Sequence, residues 1–592
     1  MIASHVIDLL SRAPEVEPHI NVSPDGMRAT FVRNDAGVHA IHVLDLASGA
    51  IDRISPAGVG CDAPHFSRDG RAVFFARDHN GDECWDLYRH SLETRSTECL
   101  LVQHSAGNAN VDAAPDHAHL LLTSAVHGRF TLCELTIDMQ RVKPLTTHAF
   151  ADGAGIYSPD GAWIAFDAHT SGQDSSIFIM RRDGSELREL VRNGAQPCWS
   201  PDGTRIAFHA MRDSDDIGVC DVATGMLHWL AESRWDERQA SWSPDGRLLA
   251  YIKNDNGAHS IIVARADDGA VVAHVAPADG VIDSTPRFAR NGESVLFIFS
   301  NHRTPGALFE FAFASGTTKN WTPAPLEIET FDFVTPFVTR YESEHGLQVP
   351  AIVYPSRSAG PTAPAVLIIH GGPTWAYHNF WHPMTQLLAA IGCTVIGPNY
   401  RGSTGYGRAY QNANRYDLGR GDVLDCIAGV DWLIDQKLAG RDRIGVTGAS
   451  QGGYMTMMCL AKHPGRWRAG SSLIGYFNYF TEFATEREDL QYWDLQNMGD
   501  PATPEGEARF RERSPIFFID NVTAPVQLLA GRNDPRCPAA ETEDVHRALT
   551  QRGIPVDIKI YEDEGHGFVK VDNFVDAAAR RVAFFDRHLN AP

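Results

Sequence analysis

The sequence lacks any apolar run near the ~20 residues that a membrane-spanning helix needs. Its longest stretches, such as Leu387–Gly397, fall far short. The first residues, MIASHVIDLLSRAPEVEP, are broken by His5, Asp8 and Arg12, so they offer no apolar core for a secretion signal. Ten cysteines are scattered from Cys61 to Cys537 with no C-x-x-C pair and no Cys/His spacing for zinc. That pattern reads as reduced core cysteines in a cytoplasmic protein. H-E-x-x-H is absent, and the loop Gly402-Ser403-Thr404-Gly405 lacks the Lys-Ser/Thr of a phosphate loop. Neither a metal nor a cofactor is implied. No Lys/Arg-rich run exists, and 74 acidic against 52 basic residues give a formal charge of −22. A phosphate backbone recruits the opposite sign, so nucleic acid is excluded as a partner, as is a membrane.

What is present first is a repeat. SPDG occurs at Ser23, Ser158, Ser200 and Ser243, with SRDG at Ser67, APDH at Ala114 and ARNG at Ala289. The acid or amide of each falls at positions 25, 69, 116, 160, 202, 245 and 291, in steps of 42 to 47 residues. Pro presets φ near −65°, Asp caps the turn and Gly accepts positive φ. Alternating segments such as WIAFDA and RIAFHA follow, which makes each unit a hairpin. Seven such units predict a β-propeller of about seven four-stranded blades. It should run from about Pro18 to Leu326, giving domains of residues 1–326 and 327–592, with the N-terminal residues free to pack on the second domain.

After TPAPLEIETFDFVTP the pattern changes to alternating strands and helices, the mark of an α/β domain. APAVLIIHGGP is a buried strand ending in glycines, and TVIGPNYRGSTGYG is a strand feeding a Gly-rich loop. Asp422–Gln436 has helical spacing. A strand at Ile444–Thr447 then runs straight into Gly448-Ala449-Ser450-Gln451-Gly452, and a helix is predicted from Tyr454 to Lys462. This is G-x-S-x-G at a strand-to-helix turn, where a nucleophilic serine sits in an α/β-hydrolase.

In that fold the triad runs Ser, acid, His along the chain. Strand Val526–Ala530 leads to Asp534, and strand Val556–Tyr561 leads to His566 between two glycines. Ser450 would be the nucleophile, His566 the base that takes its proton, and Asp534 the group that holds the imidazole tautomer. Asp563 and Glu564 share the histidine's own loop and read as a solvated acidic turn. The oxyanion hole needs two amide donors, expected from Gln451 and from Gly372 of the HGGP loop. His370 reads as a residue that orders this glycine loop rather than as a base.

The ordered set HGGP, NYRGSTGYG, GASQGGY, GRNDPRCP and GHGF behind a propeller resembles the prolyl oligopeptidase family of serine peptidases, over essentially the whole chain. Within it the acylaminoacyl-peptidase branch is the most similar, because the propeller starts almost at the N-terminus. The resemblance implies a peptidase of short peptides or acylated amino acids, the propeller excluding folded proteins. It also implies that Arg536 clamps a substrate carbonyl, which a fixed fork of donors can do. Where some members donate from a tyrosine, this chain has His370, and Gln451 stands where an aromatic is common.

Tyr476, Phe477 and Phe480 are candidates for the wall of an apolar substrate pocket, with core packing as the equal reading. The resemblance to dipeptidyl peptidases raises Asp82-Glu83 and Asp236-Glu237 as carboxylate pairs for a substrate amine, with exposed blade-loop charges as the favoured reading. The leading function is therefore a serine exopeptidase or oligopeptidase, acylaminoacyl- or dipeptidyl/aminopeptidase-like. An esterase, amidase or acyltransferase of a small metabolite uses the same triad and remains the alternative. A partner-binding scaffold with a decayed enzyme is disfavoured, since no triad member or oxyanion glycine is missing. Exposed blade edges would allow a homo-oligomer.

Overall fold

The computed structural model describes residues 4–35, 37–103, 110–125, 129–171, 174–277 and 279–590. Seven antiparallel sheets follow one another over residues 16–53, 62–101, 112–144, 151–192, 194–231, 237–275 and 281–320. Each is a simple meander and each is one blade. In the fourth and seventh blades the first strand is split into two short pieces that pair with the same neighbour.

The repeated turn links the first two strands of a blade. In the fifth, Ser200 Oγ donates to Asp202 Oδ1 at 2.6 Å, and Asp202 accepts the Thr204 amide at 3.1 Å. The Gly203 amide donates to Ser200 O at 2.9 Å, with Gly203 at φ 71°. Glycine is needed there for a second reason, because the turns of successive blades touch. A Cβ on Gly161 would lie 3.0 Å from Pro115, one on Gly203 3.3 Å from Pro159, and one on Gly246 3.5 Å from Pro201. The Gly of one turn thus meets the Pro of the preceding blade's turn at these boundaries. The ring closes without strand exchange. The Arg290 amide and Nη2 of the last blade donate to Gly26 O at 2.8 Å and Leu46 O at 2.6 Å of the first. Phe31 and Leu44 pack with Leu296 and Leu308 across the seam.

The crossing segment carries a single helical turn at Leu326–Glu329, after which the second domain begins. Its strands are β1 (Phe337–Glu342), β2 (Gln348–Tyr354), β3 (Ala365–Ile369), β4 (Thr394–Pro398), β5 (Ile444–Ala449), β6 (Ala469–Leu473), β7 (Val526–Gly531) and β8 (Val556–Tyr561). They form one sheet in the order β1-β2-β4-β3-β5-β6-β7-β8, parallel from β4 onward. Parallel strands need helical crossovers, so both faces are covered and the strands read as continuous apolar runs. The helices used below are α1 (Ser4–Ser11), α2 (Pro383–Ala390), α3 (Gly421–Asp435), α4 (Gln451–Lys462), α5 (Tyr479–Thr485), α6 (Glu488–Asn497), α7 (Pro504–Arg513), α8 (Ala539–Gln551) and α9 (Val571–Leu589). Helix α4 starts three residues before the predicted Tyr454, because Ser450 itself caps it.

One core lies between the sheet and α3, α4 and α8, and another between the sheet, α2 and α9. Helix α1 belongs to the second. Its Ile7 and Leu10, with Ala13 beyond it, pack with Leu387, Val582 and Phe585, so the chain starts on the hydrolase domain before entering the propeller. The ion pairs of Arg12 with Asp8 and Asp572 at its end are exposed and contribute little. The packing is what holds α1. Leu10 is fully buried, so Leu10→Ala should cost about 2–5 kcal/mol. A lowered urea midpoint would register it; an unchanged midpoint would mean that α1 is not part of this core.

Candidate active site

The serine, acid and histidine singled out in the sequence come together at the C-terminal ends of β5, β7 and β8. His566 Nε2 lies 2.9 Å from Ser450 Oγ, and His566 Nδ1 lies 2.9 Å from Asp534 Oδ2. The Asp534 side chain is fully enclosed and that of His566 is 11% exposed. Asp534 Oδ1 also accepts the amides of Arg536 at 2.9 Å and Cys537 at 2.8 Å. These bonds fix the orientation of the carboxylate. Cys537 Sγ, Asp534 and His566 offer three ligand atoms within 4.8 Å of one another. Burial pushes the Cys537 thiol well up, so it stays protonated, and the carboxylate is already engaged. Within the grouping, His566 is bonded to both Asp534 and Ser450.

Ser450 sits at φ 57°, ψ −124°, a region that an L residue seldom adopts. The turn is tight because β5 enters and α4 leaves between neighbouring strand ends. A Cβ on Gly452 would lie 2.1 Å from Ile369 O, so only glycine passes there. As the first residue of α4, Gln451 has an amide that no helical carbonyl can take. The HGGP loop runs alongside: a Cβ on Gly371 would lie 3.3 Å from Ser450 Cβ. The Gly372 amide has no acceptor among the described residues.

His370 is 1% exposed. Its Nδ1 meets Gly371 O at 2.7 Å, its Nε2 meets Ser403 Oγ at 2.9 Å, and its ring stacks on Tyr400 at 4.2 Å. Burial lowers its pKa to about 4. It is a neutral strut of the glycine loop.

The expectation of a solvated acidic turn holds for Asp563, which pairs with Lys570, and fails for Glu564. Glu564 is fully buried and accepts the amides of Val569 and Lys570 and the Asn573 side chain. It braces the histidine loop from inside. The aromatic run also departs from a pocket wall. Phe477 is 1% exposed and Phe480 packs on Phe510 and Phe517. Tyr476 stacks on Tyr454 at 4.7 Å and hydrogen-bonds Gln451 Oε1, which holds the side chain of the residue after the serine.

The propeller supplies the group that sequence reasoning undervalued. Glu83 is not an exposed loop charge. Its side chain is 14% exposed and pairs with Arg536 Nε at 2.7 Å and with Arg487 Nη1. The loop carrying it docks directly on the acid and histidine loops. Asn80 O accepts from Asn533 Nδ2 at 3.1 Å, and Asn80 Oδ1 accepts from Lys570 Nζ at 3.1 Å. A Cβ on Gly565 would lie 1.8 Å from Gly81 O. Asp62, Asp78, Glu83 and His566 line one pocket of about 220 Å³. Asp236 and Glu237, the other pair, are likewise buried, but Asp236 is held by Arg238 within the propeller.

A sequence model of the prolyl oligopeptidase family matches residues 379–592, and a model of the TolB β-propeller domain matches residues 135–320. The chain is 34% identical over 601 residues to dipeptidyl aminopeptidase BIII of Pseudoxanthomonas mexicana, covering 96% of this chain and 86% of that one. This chain belongs to the prolyl oligopeptidase family. As a member it is a serine peptidase, with a seven-bladed propeller in front of an α/β-hydrolase domain. Two solved structures share the whole architecture. The puromycin-hydrolyzing peptidase of Mycobacterium tuberculosis superposes with a TM-score of 0.87 at 19% identity, covering 100% of this chain and 96% of that one. The acylaminoacyl peptidase of Pyrococcus horikoshii gives 0.74 at 20% identity, covering 98% and 96%. No helix among the described residues is long and apolar enough to cross a membrane.

The glycine-on-glycine contact makes a prediction. Gly565→Ala should push the histidine loop off the propeller and lower kcat by about 10²-fold, since small misplacements at a reacting centre are costly. Steady-state kinetics beside a far-ultraviolet spectrum checks it; full activity in the folded variant would mean that the contact does not position His566.

Proposed function

We propose that this peptidase removes dipeptides from the free N-terminus of short peptides by acyl-enzyme chemistry. Ser450 attacks the second peptide bond, His566 takes its proton and passes it to the leaving amine, and Asp534 holds the imidazole. The amides of Gly372 and Gln451 receive the oxyanion. Arg536, fixed by Glu83, offers its remaining donors to a substrate carbonyl. The hydrolase unit is residues 327–592 together with α1. A free peptide substrate and a cytoplasmic setting belong to this reading.

The observation that carries it is the acid-lined pocket against His566. Asp78 and Glu83 face a space that ends at the catalytic histidine, and an ammonium group fits their sign. An N-acylated peptide has no charge to offer there, so the acylaminoacyl reading is the weaker one. The Pseudoxanthomonas mexicana relative is named a dipeptidyl aminopeptidase, which agrees with this direction.

The test is a panel of dipeptide anilides with free and acetylated N-termini. Free termini should be cleaved with kcat/KM at least tenfold higher, and Ser450→Ala should remove the activity. Preference for the acetylated series would overturn the amine reading while leaving the peptidase intact. Aryl-ester turnover without peptide cleavage would favour the esterase.

The pocket also predicts a pH dependence. Burial, with Asp82 and Glu83 nearby, raises the Asp78 carboxyl to about 6. Below that pH Asp78 is neutral and attracts an amine weakly; above it the carboxylate is charged. KM for free-amine substrates should therefore fall as pH rises through about 6, and Asp78→Asn should remove that inflection. An identical KM profile in the variant would mean that Asp78 does not face the substrate amine.

A further inference from the structure

A second cavity, of about 370 Å³, lies behind the nucleophile turn in the hydrolase domain. That volume falls within the ~300–1,000 Å³ of small-molecule sites. Gly448 and Ala449 form part of its wall, while neither Ser450 nor His566 does. Most of the lining is apolar, including Ile368, Trp381, Met384, Leu473, Phe568 and Phe574. Phe574 is 38% exposed, which leaves one side of the cavity reachable from solvent.

Into this apolar space α9 delivers Arg581, which is 8% exposed. Its Nη2 donates to Thr447 Oγ1 at 2.8 Å. Its Nε is enclosed without a hydrogen-bond partner, and no carboxylate pairs with it among the described residues. A buried guanidinium without a counter-ion is costly, and burial draws its pKa down to about 10. Two more polar groups on the same lining are idle. His382 Nδ1 is enclosed and unpartnered, and the Tyr377 hydroxyl makes no hydrogen bond among the described residues. Glu15 is the carboxylate on the lining; it forms no ion pair with Arg581 among the described residues, and burial, with Glu17 and Asp283 close by, pushes its pKa well up. One fixed positive charge, two neutral hydrogen-bonding groups and an apolar wall suit one kind of ligand. A phosphate dianion would need more positive charge, and an uncharged hydrocarbon would leave Arg581 unpaired.

We propose that this cavity binds a small apolar monocarboxylate, its carboxylate on Arg581 and its tail among Trp381, Met384 and Phe568. The site is separate from the acid-lined pocket and does not depend on the dipeptidyl reading. A free aliphatic or aryl acid and the C-terminal end of an apolar peptide carry the same chemistry.

The test uses the full chain with Ser450→Ala, titrated calorimetrically with octanoate and with 1-octanol. Octanoate should bind at least tenfold tighter, the equivalent of about 1.4 kcal/mol for one charge-assisted contact. Arg581→Met should erase that difference while leaving Tm unchanged or raised, because it replaces an unpaired buried charge with an apolar chain of similar length. Should that variant fail to fold, the octanoate-to-octanol ratio in the Ser450→Ala protein decides alone. A dipeptide ending in free phenylalanine, compared with its C-terminal amide, separates the two sources: binding of that acid without octanoate names the peptide end. Equal binding of octanoate and octanol, no binding of any acid, or an octanoate preference that survives in Arg581→Met would overturn the proposal.

Discussion

Backbone lies against backbone where Gly81 of the propeller meets Gly565 of the histidine loop, and the arrangement of the site depends on that contact. With no side chain on either residue, the two segments approach to a distance that a single added carbon would forbid. Such an interface has no soft layer to absorb displacement, so the second blade sets where the histidine loop rests. Asn80 adds hydrogen bonds on both sides of the contact, to Asn533 and Lys570. Glu83, a few residues on, then falls beside Arg536. The propeller is therefore part of the active site and not only a cover over it.

The hydrolase domain holds its side of the bargain through buried polar bonds rather than bulk alone. Ser450 occupies strained backbone, which persists only if its surroundings over-determine it. They do so from three directions. Its amide donates to Leu473 O at 3.0 Å on β6, Gly452 abuts Ile369 O at the end of β3, and the Tyr476 hydroxyl holds the Gln451 side chain. Below the Gly-rich loop, Arg401 and Asp425 make a bidentate pair at 2.8–2.9 Å with both side chains buried. The pair contributes geometry more than net stability, since desolvation offsets most of its attraction. What it fixes is the loop carrying Ser403, the partner of His370 beneath the glycine loop.

Much of this was legible because it is written locally. A Ser-Pro-Asp-Gly turn makes its own hydrogen bonds within a few residues, so its recurrence gave the blades and their number before any strand was drawn. Ser450, Asp534 and His566 each follow a short apolar strand, so order and spacing singled out three residues that the fold brings into hydrogen-bond contact. What stayed hidden depends on contacts distant in sequence. Asp82-Glu83 looks like any charged blade loop until the two domains dock, since 453 positions separate Glu83 from Arg536. Glu564 looks solvated because its neighbours are acidic, yet the chain folds back over it and the amides of Val569 and Lys570 and the Asn573 side chain of α9 donate to it. Tyr476, Phe477 and Phe480 carry no mark that tells a pocket wall from a core. Only the packing of α5 against α7 decides between them.

The electrostatics of the docked loop give the site a direction. Glu83 is balanced by Arg487 and Arg536, and Asp62 is bonded to His19 at 2.7 Å. Asp78 has no basic partner within 4 Å among the described residues, so it is the charge that gives this pocket its sign. A peptide presents opposite charges at its two ends. The carboxylate end is repelled by such a pocket, and the chain's charge of −22 adds to that repulsion. An ammonium end would instead be attracted by the fixed carboxylate, as the proposed reading requires. Under the proposed dipeptidyl reading, the half-buried Asp78 would select the end of the peptide that enters, and the short span from its pocket to His566 would set the bond that is cut.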